Sequence, residues 1–105
     1  MGIKMIYLIN KSINKWYKIL NGGEDLGKIN CPLCKKFYYN LCIDCPIKKY
    51  TKLSYCKGTP YEKWINHQRI YHDSNIFRVS CDICNDIAKD EIKFLLMIKE
   101  VIKCH

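Results

Sequence analysis

Residues 81–103 read CDICNDIAKDEIKFLLMIKEVIK, a Cys-x-x-Cys motif that continues directly into a long helical pattern. Apolar residues recur there at three- and four-residue steps, which predicts a helix over residues 82–103. Asp86, Asp90 and Glu91 lie early in it, and Lys99 and Lys103 lie late, as the helix dipole prefers. The positive start of such a helix favours thiolates at Cys81 and Cys84. The segment therefore predicts a pair of metal ligands at a helix N-terminus.

A first helix is predicted over residues 3–21, where the same spacing of apolar side chains produces one apolar face. Gly22-Gly23 is expected to end it, because glycine tolerates the left-handed conformation at a helix C-terminus. An alternative is a shorter helix capped by Ser12, with the preceding residues extended.

A middle helix is predicted to begin at Thr59-Pro60-Tyr61-Glu62 and to run to about Tyr71. Threonine caps the helix, proline suits its first position, and a glutamate three residues after the cap completes a capping box. This is the sharpest helix start in the chain.

The remaining segments favour loops and short strands. Residues 24–58 hold five cysteines and two prolines without helical periodicity, and residues 36–41 and 76–80 are the strand candidates. We expect one small metal-stabilised α+β domain, with a treble-clef-like zinc-finger element and N-terminal, middle and C-terminal helices. Its expected parts are an N-terminal helical segment 1–23, cysteine loops 24–58, a capped helix 59–72, and a strand plus C-terminal helix 76–105.

Length and composition restrict the class of protein. The chain has 105 residues, of which 49% are hydrophobic, so it suits one core and is too apolar for a disordered tail. No apolar run approaches the roughly 18–20 residues that cross a bilayer, and no signal-peptide pattern is present, so a cytoplasmic protein without membrane contact is expected. In a reducing cytosol, the 8 cysteines indicate metal ligands before disulfides.

Three Cys-x-x-Cys pairs carry the metal prediction, because two thiolates on a tight turn supply half of a tetrahedral zinc site. The pairs are Cys31/Cys34, Cys42/Cys45 and Cys81/Cys84. A treble-clef finger has its elements in a fixed order: a zinc knuckle, then a strand region, then a second ligand pair at the start of a helix. The first and third pairs of this chain occur in that order. We therefore expect one zinc site to combine the first and third pairs.

A second zinc ion is expected on the cysteines that remain, Cys42, Cys45 and Cys56. His67 is the expected fourth ligand because it lies on the helix that follows them, and His72 and then Cys104 are alternatives. Spacing also permits the first two pairs to close on one ion. An iron–sulfur cluster is the alternative cofactor, since thiolates bind both metals.

The order of these motifs resembles a family of small cysteine-rich proteins of prokaryotes and their viruses. The matching elements are Cys31-Pro32-Leu33-Cys34, Cys42…Cys45-Pro46, Cys56-Lys57-Gly58-Thr59-Pro60-Tyr61, Trp64, His67 and Cys81…Cys84. The Cys-x-Gly-Thr-Pro-Tyr block is the most specific of them, although Thr51-Lys52 stands where family members often carry Thr-Gly. The resemblance implies metal-binding cysteines and no particular activity.

The formal charge of +8 invites a polyanionic partner. Lysines interleave with aromatic residues in the cysteine loops, a pattern that suits phosphates and unpaired bases. The candidate contacts are Lys35, Lys36, Lys48, Lys49 and Lys52. The alternative is a solvated lysine surface over tyrosines. Only two arginines are present, which disfavours sequence-specific base readout.

The function expected from these features is a non-enzymatic binding or regulatory module that contacts nucleic acid or a partner protein. One alternative is an iron–sulfur redox or electron-transfer protein, and a less favoured one is a treble-clef nuclease that uses Asn66, His67 and His72. The apolar stretch at residues 94–98 predicts either a homodimer seam or packing on the first helix.

Overall fold

The regular structure in the described part of the chain is helical. The computed structural model describes residues 2–27, 31–33, 45–53, 56–72 and 76–103. Its helices are α1 (Gly2–Leu20), α2 (Pro46–Thr51), α3 (Pro60–His67), which continues as a π-helical turn over Gln68–His72, and α4 (Asp82–Lys103).

Helix α1 runs without a break from Gly2 to Leu20, through Ser12, where the alternative of a shorter helix would begin. Ser12 is buried within it, so the alternative with Ser12 as cap is wrong. The chain reverses immediately after the helix, where the Gly23 N–H donates to the Lys18 carbonyl at 2.8 Å and Gly22 has a φ of 101°. A Cβ at Gly23 would lie 2.8 Å from the Lys18 oxygen, which explains the glycine pair.

Helix α3 begins at the predicted cap. The Thr59 Oγ1 accepts a hydrogen bond from the Tyr61 N–H at 3.2 Å and donates one to the Cys56 carbonyl at 2.6 Å. The cap therefore also ties the preceding turn to the helix start.

The core forms where α1 and α3 pack on α4. Trp16 of α1 meets Trp64 of α3 edge to face, with ring centroids 5.2 Å apart. Buried side chains of the two long helices complete the core: Ile9, Ile13, Ile19, Ala88, Ile92, Leu95 and Ile98. Leu96 and Met97 remain 41% and 40% exposed, whereas Leu95 and Ile98 are buried. The apolar stretch at residues 94–98 of α4 therefore packs against the core on one side only. A homodimer through this helix stays a prediction.

An ion pair is buried beneath this core. Lys15 Nζ lies 2.9 Å from Asp25 Oδ1, and the Trp64 Nε1–H donates to Asp25 Oδ2 at 2.9 Å. The Gly27 N–H also donates to Asp25. A buried carboxylate must be paired and hydrogen-bonded, and Asp25 meets this requirement with these three partners. Because the partners lie on different segments, the contacts also join α1, α3 and the loop after α1.

The strand predicted at residues 76–80 does not form, and this part of the α+β expectation is wrong. A single antiparallel bridge joins Asp25 to Phe77. Beyond it, the Gln68 side chain replaces a neighbouring strand: its Nε2 donates to the Arg78 carbonyl at 2.8 Å, and its Oε1 accepts from the Arg78 N–H at 3.4 Å. Residues 36–41, the other strand candidate, lie outside the described residues.

No helix in the described ranges is both long and apolar enough to span a bilayer.

Candidate metal centre

Four potential metal ligands converge where the π-helical turn meets the start of α4. They are His67, His72, Cys81 and Cys84, and their donor atoms all lie within 4.8 Å of one another. His67 and Cys84 are buried, whereas His72 and Cys81 are half-buried. The group can hold a metal ion such as zinc.

The π-helical turn brings the two histidines together. His67 and His72 are five residues apart, and the i→i+5 pattern of a π-helix stacks such residues one turn above the other. In an α-helix, five residues at 3.6 per turn would point in clearly different directions. The Nε2 atoms lie 3.2 Å apart, and Tyr71 covers His67 with ring centroids at 5.0 Å.

The two cysteines are presented by the first turn of α4. The Cys84 N–H donates to Cys81 Sγ at 3.4 Å, and the Asn85 N–H donates to the Cys81 carbonyl at 3.1 Å. The sulfurs are 3.5 Å apart, too far for a disulfide. The hydrogen bond from the Cys84 N–H is the main reason that the pKa of the Cys81 thiol lies below its ordinary value. The Cys84 N–H is therefore the specific donor that favours the thiolate form of Cys81 at this helix start.

The separations match the edges of a tetrahedron around zinc. Zn–S bonds of about 2.3 Å and Zn–N bonds of about 2.05 Å give edges of about 3.8 Å between sulfurs, about 3.3 Å between nitrogens and about 3.5 Å between unlike donors. The observed S–S and N–N distances are 3.5 and 3.2 Å. The sulfur–nitrogen distances are 3.2 Å from Cys81 to His67, 3.4 Å from Cys81 to His72, and 3.2 Å from Cys84 to His72. Five of the six edges thus fall within about 0.3 Å of the ideal values. The sixth, between Cys84 and His67, lies within the 4.8 Å that contains all four donors.

Burial and charge also suit metal binding at His67. Burial, with the charge of His72 as a smaller cause, lowers the pKa of His67 below its ordinary value. A neutral imidazole is the form that coordinates a metal.

Gln68 supports the site from behind. Its side chain is 1% exposed, and its Nε2 donates to Cys84 Sγ at 3.2 Å as well as to the Arg78 carbonyl. Such partners orient ligands and stabilise thiolates. Sequence reasoning missed this residue, since a glutamine in a helix carries no signal without its tertiary neighbours.

The structure places the predicted ligands in a different combination. His67 lies beside Cys81 and Cys84, and His72, named from sequence as an alternative at the other site, joins them. Cys45 is buried, and Cys31 and Cys56 are half-buried against the core. Cys34, Cys42 and Cys104 lie outside the described residues, so the predicted sharing of Cys31 and Cys34 with this centre and the composition of a second site stay predictions.

The predicted nucleic-acid contacts lie around α2. Lys49 and Lys52 are exposed and Lys48 is half-buried, while Lys35 and Lys36 fall outside the described residues. Their contact with nucleic acid stays a prediction.

Comparison with known proteins adds no identity. No protein family matches the chain, and neither curated proteins nor solved structures match it. The resemblance to small cysteine-rich proteins therefore rests on its motifs, with the metal-ligand group as its structural counterpart.

Proposed function

We propose that this protein is a small binding domain stabilised by a zinc ion on His67, His72, Cys81 and Cys84. The observation that carries the proposal is the convergence of four donors within 4.8 Å, with five of their six separations close to tetrahedral edges. Tetrahedral sites with two sulfur and two nitrogen donors are typical of zinc.

A structural ion fits better than a catalytic one. Catalytic zinc keeps an open position for water, whereas four protein donors close the coordination shell. Both histidines direct Nε2 at cysteine sulfurs, which supports a role as ligands rather than as the nuclease residues considered from sequence. The position of Cys81 and Cys84 at a helix start is also the position of the second ligand pair in a treble clef.

One ion fits better than an iron–sulfur cluster of the histidine-containing kind. In that cluster the two histidines bind one iron and the two cysteines the other. Here the Cys81 Sγ lies 3.2 Å from the His67 Nε2, and the Cys84 Sγ lies 3.2 Å from the His72 Nε2. Sulfur and nitrogen donors are thus close enough to bind the same ion.

The ion would join the end of α3 to the start of α4. These segments are separated by residues 73–81, and a small core gains much of its stability from such a cross-link. We extend the proposal to a second zinc ion, which the sequence predicts on Cys42, Cys45 and Cys56, with a fourth ligand other than His67. The proposal also includes nucleic acid or a protein as the partner of the domain.

Elemental analysis and native mass spectrometry of anaerobically purified protein test the metal centre. His72→Ala and Cys84→Ser should each lower the zinc content by one ion per chain. Asn66→Ala, an exposed neighbour on α3, should leave it unchanged. Zinc content unaffected by both ligand variants, or visible iron–sulfur absorption in stoichiometric amount, would refute the proposal.

A further inference from the structure

The exposed face of α1 differs in charge from that of α4. Its exposed positions, among side chains that the structure describes, are Tyr7, Lys11, Asn14, Tyr17 and Lys18. Tyr7 and Tyr17 are 56% and 48% exposed. Residues 2–20 contain no acidic side chain, so this outer face of α1 carries lysine, tyrosine and asparagine alone.

Helix α4 provides the contrast. Along its first half, the exposed charged side chains are of both signs: Asp82, Asp86, Lys89, Asp90 and Lys93. Such a mixed face has little net field and is typical of solvated helices. A surplus of positive charge is therefore not common to every helix surface of this lysine-rich chain. It is found on α1 and around the short α2, where Lys49 and Lys52 are exposed.

Two interactions shape the outer face of α1. Lys15 is turned inward and paired with the buried Asp25, so neither charge lies on the outer face. Lys11 Nζ lies 4.7 Å from the Tyr7 ring centroid, a cation–π contact that orders the ammonium group at the surface.

The metal centre does not remove the charge that attracts polyanions. Two thiolates balance the two positive charges of one zinc ion, so a site with two cysteines and two neutral histidines leaves the formal charge at +8. The second proposed ion, if held by four thiolates, would lower this charge by two, from +8 to +6, so the chain would stay strongly positive.

We propose that the outer face of α1 binds single-stranded nucleic acid, with Lys11 and Lys18 on phosphates and Tyr7 and Tyr17 stacking on bases. The inference rests on the proposed function, for which it names the partner. Seven residues separate the lysines, or about 10 Å along the axis, so they contact different phosphates. Ten residues separate the tyrosines, or about 15 Å, which suits bases that are not adjacent.

The expected recognition is independent of sequence. Arginine, the usual reader of guanine, is absent from α1. Lysine–phosphate contacts and ring stacking operate on any unpaired strand, and their affinity falls as salt rises.

Fluorescence anisotropy with a labelled 20-nucleotide thymidine strand tests this surface in a salt series. Lys11→Gln/Lys18→Gln should lower the slope of log affinity against log salt by about 1.4 and weaken binding about tenfold or more at low salt. Lys89→Gln/Lys93→Gln on α4 makes the same charge change and should leave the slope within experimental error. Tyr7→Ala should weaken binding about fivefold or more without changing the slope.

The outcomes separate the two proposals because zinc content and thermal unfolding are measured on each sample. A folded, zinc-loaded protein that does not bind the strand refutes the inference, as does an equal loss in both lysine pairs. The same strand annealed to its complement is measured in parallel. Binding of this duplex in preference to the single strand also refutes the inference, since stacking on unpaired bases would then play no part. Loss of binding in the α1 variants of a protein that never held zinc supports the inference and refutes the proposed metal centre.

Discussion

Replacing Gln68 with alanine removes three hydrogen bonds behind the metal centre at once, one to Cys84 Sγ and two to the Arg78 backbone. The bond to Cys84 Sγ is buried and charge-assisted when the sulfur is a metal-bound thiolate, so its loss is expected to cost about 2 kcal/mol. The bond to the Arg78 carbonyl matters less, because Arg78 is exposed and water can replace the amide. At 1.4 kcal/mol per factor of ten, zinc affinity should fall about 30-fold.

Competition with a chromogenic zinc chelator measures this change. Gln68→Glu keeps the shape but replaces the donor with a carboxylate that repels the thiolate, so it should weaken zinc binding at least as much as alanine. The exposed Asn66→Ala variant on the same helix serves as control. A Gln68→Ala affinity within threefold of the unchanged protein would refute the assigned role of Gln68.

Three further predictions concern stability, each measured by urea unfolding. Thr59→Ala removes the cap of α3 and should destabilise by about 1 kcal/mol; an unchanged midpoint would contradict the observed cap. Asp25→Asn leaves Lys15 buried without its counter-charge and should cost about 3–5 kcal/mol, whereas Glu24→Gln, at an exposed pair, should cost under about 1 kcal/mol. Burial, then the charge of Cys31, raises the pKa of Glu91 from 4.5 to about 8. The folded protein thus holds this proton more tightly than the unfolded chain, so its contribution to stability is complete below pH 4.5 and is lost as the pH rises to 8. Glu91→Gln should flatten that decline between pH 5 and 8, and an identical decline in the variant would show that other groups cause it.

The helices were predictable because their signals are local. The predicted helix over residues 82–103 coincides with α4, and the cap of α3 lies at the predicted threonine. Periodicity, capping residues and glycine pairs act within a few residues of chain, so sequence alone reveals them.

The failed strand shows where local reasoning ends. The β-favouring composition of residues 76–80 is real, but a strand requires a neighbour, and here a glutamine side chain occupies that place. Because β-propensity largely reflects packing against such neighbours, tertiary context decided the outcome.

The sequence by itself determined that cysteines and histidines of this chain suit a thiophilic metal, and that Cys81 and Cys84 begin a helix. Only the tertiary structure decided that His67 and His72 join them. That choice depends on a π-helical turn and on the packing of α3 against α4. Each cysteine or histidine can bind a metal because of its own side-chain chemistry, which the sequence shows directly. Which of them bind the same ion depends on contacts between segments that are distant along the chain.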